Sequence, residues 1–444
     1  MQQSLSSTPA EAEANLRAAV QHHRAGRLGE AEAFYRTVLK QQPGQPVALH
    51  LLGVIARQSG HLEAAVDLIG RAVAARPDYA EAHANLGVAL RQLERLEEAA
   101  TAFERALALR PFSAPTLSGL AGVREAQERL PEAIALHRRA VAVAPGNASA
   151  QLSLANALQQ DGQAEAALEA YGAAHAAAPS LPGLRNNFAA ACLKSGRVEQ
   201  ALDLLEENLA EAPQDVRSVA YKTVVLQELG RRDEAARLTD YAELLRRTRL
   251  ATPEGYGDFA AFSKTLLEEL RGHPRLIQTW DPKQRAARGG ALIVSLQQDP
   301  PPAVAAFERV LRQAIDAFVA QLPEDPSHPF RRRKPRDYTL DIWANLLEPQ
   351  GHQEAHIHNL GWLSGVFYPQ VPETIREEDP EHAGWIEFGR PGYGLPCRFE
   401  PDTLLVRPEA GLALLFPSYV WHRTLPFAGP EQRVSIAFDL HARD

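Results

Sequence analysis

Residues 43–77 read PGQPVALHLLGVIARQSGHLEAAVDLIGRAVAARP, a stretch that begins and ends on proline and turns on a glycine near its middle. Both prolines belong to a series: Pro43, Pro77, Pro111, Pro145, Pro179 and Pro213 stand 34 residues apart. Ala31, Ala65, Ala99, Ala133, Ala167, Ala201 and Ala235 keep the same step. So do a small-residue series, Gly53, Gly87, Ala121, Ala155 and Ala189, and a turn series, Gly26, Gly60, Glu94, Glu128, Gly162, Gly196 and Gly230. A fixed period of this length marks a stack of like units, none of which buries its apolar face alone. Proline cannot continue a helix and ends the second helix of each unit, while glycine suits the turn between paired helices. Small residues let the two antiparallel helices approach closely.

The pattern resembles the tetratricopeptide repeat over roughly Pro9 to Arg247, in about seven units, although the family's tryptophan is absent and the first Trp of the chain is Trp280. The resemblance implies an all-α solenoid whose concave groove receives an extended peptide or a partner helix. A protein or peptide partner in that groove is therefore expected; the alternative is an array that dimerises the protein or spaces it from a neighbour.

A chain of 444 residues suits two domains, and 45% apolar with 23% charged residues is the composition of a soluble globular protein. The formal charge of -8 argues against a phosphate-backbone binder, so nucleic acid is not the expected partner. The one dense basic cluster, Arg331, Arg332, Arg333 and Lys334 with Arg336, reads as a solvated connector. Two cysteines, Cys192 and Cys397, supply neither a disulfide framework nor a thiolate zinc site. The N-terminal residues lack the basic and apolar stretches of a signal peptide, and no window approaches 18 apolar residues. A cytoplasmic location without a membrane partner is expected.

Near Ala251 the 34-residue phase stops. Apolar-periodic segments interrupted by Pro and Gly follow, and they predict a helical flank over 252–335. From 337 to 444 the period moves towards 2, in DYTLDIWANLL, WLSGVFY, GWIEFG, GLALLFP and RVSIAFDL. Short strands without intervening helices predict an antiparallel sandwich or barrel of jelly-roll or cupin type. The expected division is thus a solenoid over 9–247 and a second domain over 252–444, with a fragment from about residue 250 holding every candidate ligand.

Within that sheet region His356 and His358 stand two apart, and in extended conformation they project from one face, with Glu354 on the same face. His422 follows a strand with a buried pattern. In RVSIAFDL, Val434, Ile436, Phe438 and Leu440 form one apolar face, and Arg433 and Ser435 share the other. The strand DIWANLL contributes Asn345. Imidazoles suit Fe(II), and three protein ligands leave positions open for a bidentate 2-oxo acid and dioxygen. A guanidinium fork grips a carboxylate in two charge-assisted bonds, which a nearby Ser hydroxyl can assist. The other reading of Arg433 is a buried ion pair with Asp439 or Asp341.

The texts HIHNLGWLSGVFYP, LLFPSYVWH and RVSIAFDL resemble a family of 2-oxoglutarate- and Fe(II)-dependent oxygenases, often fused behind tetratricopeptide repeats. The likeness runs from about residue 252 to the end. It implies a double-stranded β-helix, iron on His356, His358 and His422, and 2-oxoglutarate on Arg433 and Ser435, beside which Asn345 is a further candidate. The activity it implies is hydroxylation coupled to oxidative decarboxylation of 2-oxoglutarate. The wider superfamily places Asp or Glu where His358 stands, so Glu354 could instead supply a carboxylate, with His358 behind it. Two other functions fit the same residues: a three-His cupin dioxygenase that uses no 2-oxo acid, and a tetratricopeptide adaptor whose sheet domain binds no metal.

Overall fold

A computed structural model describes residues 9–278 and 286–443; residues 279–285 of the expected helical flank lie outside the described residues. Fourteen helices between Pro9 and Leu238 form seven antiparallel pairs, from Pro9–Arg24 with Leu28–Gln41 to Val216–Glu228 with Arg232–Leu238. Each series in the sequence has its structural reason. The periodic alanines are buried at the contact between paired helices, from Ala31 at 0% exposure to Ala235 at 2%. A Cβ on Gly53 would lie 2.5 Å from Ile69 Cγ1, and one on Gly87 would lie 2.8 Å from the Phe103 ring. The turn series sits throughout in the left-handed region, including Glu94 and Glu128 at φ 58° and 60° where glycine would be unstrained. Each proline falls two residues beyond the last residue of its helix, as Pro77 does after Leu62–Ala75.

The chain forms two compact units, residues 1–184 and 185–444. The first contains five helix pairs. The second contains the last two, Leu184–Lys194 with Val198–Glu211 and Val216–Glu228 with Arg232–Leu238, together with two antiparallel sheets. The strands are β1 Arg246–Arg249, β2 Leu276–Ile277, β3 Ala287–Arg288, β4 Ala291–Ile293, β5 Tyr338–Leu347, β6 His352–His356, β7 Leu363–Gln370, β8 Ile386–Phe388, β9 Leu404–Val406, β10 Leu412–Pro417, β11 His422–Thr424 and β12 Arg433–Ala442. One sheet runs β1-β10-β7-β12-β5-β4-β2 and the other β3-β6-β11-β8-β9, a jelly-roll arrangement.

Strand β12 shows how the alternation divides the large sheet. Val434, Ile436, Phe438 and Leu440 are fully buried on the face that meets the flanking helices Phe259–Arg271 and Pro302–Gln321. On that side the Phe307 and Phe367 rings stand 4.9 Å apart, with Phe367 opposite Ile436 in register. Arg433, Ser435, Ala437 and Asp439 therefore face the space between the sheets. Phe416 of the large sheet meets Phe388 of the small one at 5.0 Å across that space.

The last helix pairs are fastened to the sheets by specific bonds. Trp421 Nε1 donates to Ala220 O at 3.1 Å, Tyr419 Oη donates to Leu238 O at 2.8 Å, and the Trp421 and Tyr221 rings stack at 6.2 Å. Arg331, read from the sequence as part of a solvated connector, pairs with Glu243 at 2.5 Å and Asp325 at 3.2 Å, and Lys334 Nζ donates to Leu322 O. Repeat period and compactness thus divide the chain at different points. A fragment starting near 250 would uncover the 2%-exposed Trp421 beside His422. We expect residues 185–444 to melt cooperatively and residues 252–444 to lack a cooperative transition, as read by calorimetry. Equal cooperativity in the two fragments would show that the last repeats are dispensable for folding. Among the described residues, no helix is long and apolar enough to cross a membrane.

Candidate metal and anion site

Three of the candidate side chains converge. One ring nitrogen from each of His356, His358 and His422 lies within 4.8 Å of the others, and His356 Nε2 stands 3.3 Å from His358 Nε2. Two imidazole nitrogens bound at right angles to one ion, each at about 2.1 Å, would be about 3 Å apart. Register explains part of the meeting: His422 on β11 sits directly opposite His356 on β6.

Each ring is also turned. His356 Nδ1 faces the Glu354 carbonyl oxygen at 2.7 Å, His422 Nδ1 the Val420 carbonyl oxygen at 3.0 Å, and His358 Nδ1 the Asp439 carboxylate at 2.5 Å. Oxygens of these kinds accept, so each Nδ1 is the donor of its pair, and Nε2 is the atom each ring leaves for another partner. Burial, reinforced by the His358 ring, drives the His356 pKa down to about 3. Burial and the two neighbouring rings take His422 well below the ordinary histidine value. Both rings are therefore neutral at pH 7, the form that ligates a cation.

Glu354 is not on this face. Between His422/His356 and Thr424/Gln353 the register shifts, so β6 spends one more residue than β11, and the bulge breaks the period-2 alternation that placed Glu354 with His356. Its carboxylate is 58% exposed, at 3.6 Å from His352 Nε2 and 3.9 Å from Arg288 Nε. His358 lies beyond the end of β6 and is fixed there by its own N–H, which donates to Ser418 O at 3.0 Å.

Arg433, Ser435 and Asn345 line the inner face of the large sheet, with Ser435 and Asn345 directly opposite in register. All three are buried, at 2%, 3% and 2% exposure. Among the described residues Arg433 has no acid partner. Nη2 donates to Tyr368 Oη at 3.3 Å, whereas Nε and Nη1 are buried with no acceptor among those residues, as is Asn345 Nδ2. Asp439 is bonded to His358, and Asp341 accepts from Gln297 and neighbours His441 Nε2. Burial lowers the Arg433 pKa from its ordinary value, with Tyr368 opposing the shift. A buried guanidinium with unpaired donors is costly unless a carboxylate comes to meet it. Trp343, opposite Ala437, continues the same inner face towards the histidines, and its ring lies 5.4 Å from that of His358. The arrangement can hold a divalent cation at one place and an anionic group at another along one inner wall.

A family model described as "Putative 2OG-Fe(II) oxygenase" matches residues 341–439, the span that contains all six candidate residues. The model described as "Tetratricopeptide repeat" matches 1–46 and 50–114, and that of "Anaphase-promoting complex, cyclosome, subunit 3" matches 126–208. The chain carries a tetratricopeptide array and a 2OG-Fe(II) oxygenase family domain. Solved structures similar to it include MamA, at 24% identity, 36% of this chain, 93% of that chain and a TM-score of 0.34. PilF of Pseudomonas aeruginosa has 16% identity over 47% of this chain and 94% of that chain, with a TM-score of 0.43. YrrB, described as a TPR protein with an unusual peptide-binding site, has 19% identity, 42% and 97% coverage and a TM-score of 0.37. No curated protein matches the chain.

In the oxygenase domain, sequence reasoning left Tyr368, Ser364 and Ser418 without a role and offered Asp439 only as an ion-pair partner of Arg433. Tyr368 meets Arg433, and Asp439, Ser364 and Ser418 form a hydrogen-bonded group behind His358. The signal was present for all four: Ser364 and Tyr368 lie in LSGVFYP, Ser418 in FPS and Asp439 in RVSIAFDL, inside the motifs that carry the family likeness.

Proposed function

We propose that the C-terminal domain is an Fe(II)- and 2-oxoglutarate-dependent hydroxylase, with the ion on His356, His358 and His422 and the distal carboxylate of 2-oxoglutarate on Arg433. The observation that carries this reading is the buried Arg433 guanidinium, with Nε and Nη1 lacking acceptors among the described residues, on the inner wall that leads to three convergent imidazoles. When bound, iron and 2-oxoglutarate together activate dioxygen for insertion into a C–H bond, releasing succinate and CO2. The residues of the chain do the rest. The three Nε2 lone pairs fix the ion on one side, Arg433 with Ser435 and Asn345 orients the cosubstrate, and Tyr368 holds the guanidinium in place. Phe388 and Phe416, whose ring centroids lie 6.2 and 4.9 Å from that of His422, keep water from the ligand rings.

The repeat array supports a protein or peptide substrate, and two cysteines without a disulfide suit a reducing, cytoplasmic location. The all-imidazole ligand set favours one further reading, a dioxygenase that binds its substrate's own carboxylate at Arg433 and uses no 2-oxo acid. Slow succinate formation by the full chain supplied with Fe(II), 2-oxoglutarate and O2 is the expected result, absent when 2-oxoglutarate is withheld. An iron-loaded protein that neither binds nor consumes 2-oxoglutarate would leave the second reading.

A further inference from the structure

Of the three ring partners in the metal site, two are neutral carbonyl oxygens and one is a carboxylate. Asp439 Oδ1 meets His358 Nδ1 at 2.5 Å and accepts from Ser364 Oγ at 2.6 Å, and Ser364 Oγ stands 2.7 Å from Ser418 Oγ. Three strands and a turn enclose this group. Asp439 lies on β12 opposite Ser364 of β7, while Ser418 follows β10. The turn after His358 closes over them so tightly that a Cβ on Gly361 would lie 2.5 Å from Ser418 Oγ and 3.3 Å from Asp439 Cγ. The Asp439 side chain is 14% exposed, and Glu354, the acid nearest the ligands in sequence, faces outward.

A carboxylate held in this way has two effects that a carbonyl does not have together. It accepts from Nδ1, which leaves Nε2 as the donor atom, and it makes the ring a stronger donor to a cation by stabilising positive charge on the imidazole. Three neutral imidazoles bring no charge of their own to a dication. We infer that Asp439 is a positioning residue that both orients His358 and delivers negative charge to the metal through that ring, in place of a carboxylate bound directly to the ion. The inference rests on the metal assignment of the proposed function.

Asp439→Asn separates the two effects, because the amide oxygen can still accept from Nδ1 but carries no charge. In full-length protein the variant should bind Co(II) about 10- to 100-fold more weakly, and its bound iron should have a higher Fe(III)/Fe(II) potential. Asp439→Glu should restore the potential towards that of the unaltered chain. Co(II) affinity and iron potential both equal to those of the unaltered protein would overturn the inference, as would weakened binding with an unchanged potential. Should neither variant fold, the Zn(II)-loaded unaltered protein still decides: its imidazole Nδ1–H proton spectrum should contain one resonance well downfield of the other two, and three similar resonances would exclude a charge-assisted bond. Unaltered protein that retains no Fe(II), Co(II) or Zn(II) would remove the metal assignment itself, and the inference with it.

Discussion

His422→Ala is expected to emerge from iron loading and desalting without metal, while the unaltered chain retains a stoichiometric ion. The substitution removes one of three convergent imidazoles, the one on β11 whose register with β6 brings it opposite His356. Loss of a direct ligand should exceed the roughly 10- to 100-fold loss in affinity that follows removal of an outer partner. His422 is 5% exposed and packs against Phe416, so truncation also opens a small cavity; circular dichroism of both proteins in the metal-free state separates local loss from unfolding. The measurement is elemental analysis of the desalted proteins. Wild-type iron occupancy in the variant would sink the assignment of all three histidines.

For Arg433→Ala the expected result is a fall of about thirtyfold in 2-oxoglutarate affinity, equivalent to about 2 kcal/mol for a charge-assisted contact, with iron retained. Calorimetric titration reads the affinity. Stability gives an independent sign. A structural ion-pair partner would leave a buried acid unpaired when truncated and lower the melting temperature sharply. Among the described residues Arg433 has Tyr368 as its hydrogen-bond partner and two nitrogens without acceptors, so replacement by a methionine of similar reach, Arg433→Met, should leave the melting temperature of the ligand-free protein unchanged or raise it. Site residues carry such strain because the ligand relieves it. An unchanged affinity for 2-oxoglutarate in both variants would remove Arg433 from the cosubstrate site.

The repeats were legible because one period fixes many positions at once. Left-handed turns, buried alanines and helix-ending prolines each follow from local sterics, which a single chain records directly. The two faces of β12 were legible for a similar reason, since alternation alone separates Phe438 from Asp439. What failed was reasoning across a break in the pleat. Nothing in the text HQEAHIH announces a bulge, and one extra residue was enough to send Glu354 outward. The partners of His358 were hidden for another reason. Asp439, Ser364 and Ser418 are 81, 6 and 60 positions from it in the chain, and they meet through strand pairing that no local pattern encodes. The close association of the last two helix pairs with the sheets was likewise invisible, because the period continues unchanged through Ala201 and Ala235.

The contact between His358 and Asp439 also constrains how this site could have changed by descent. An aspartate at position 358 would bring a second carboxylate against Asp439, and two such groups in a buried space cannot both stay ionised. One of them would take up a proton, and the charge gained at the metal would be lost behind it. Replacement of Asp439 by asparagine alone keeps an acceptor for the imidazole but removes the charge behind it. On this reading each single step weakens the hold on a cation, whereas a paired change, acid inward and neutral acceptor behind, keeps one negative charge at the site. Positions 358 and 439 are therefore chemically coupled through one hydrogen bond, and the residue that suits one of them depends on the charge of the other.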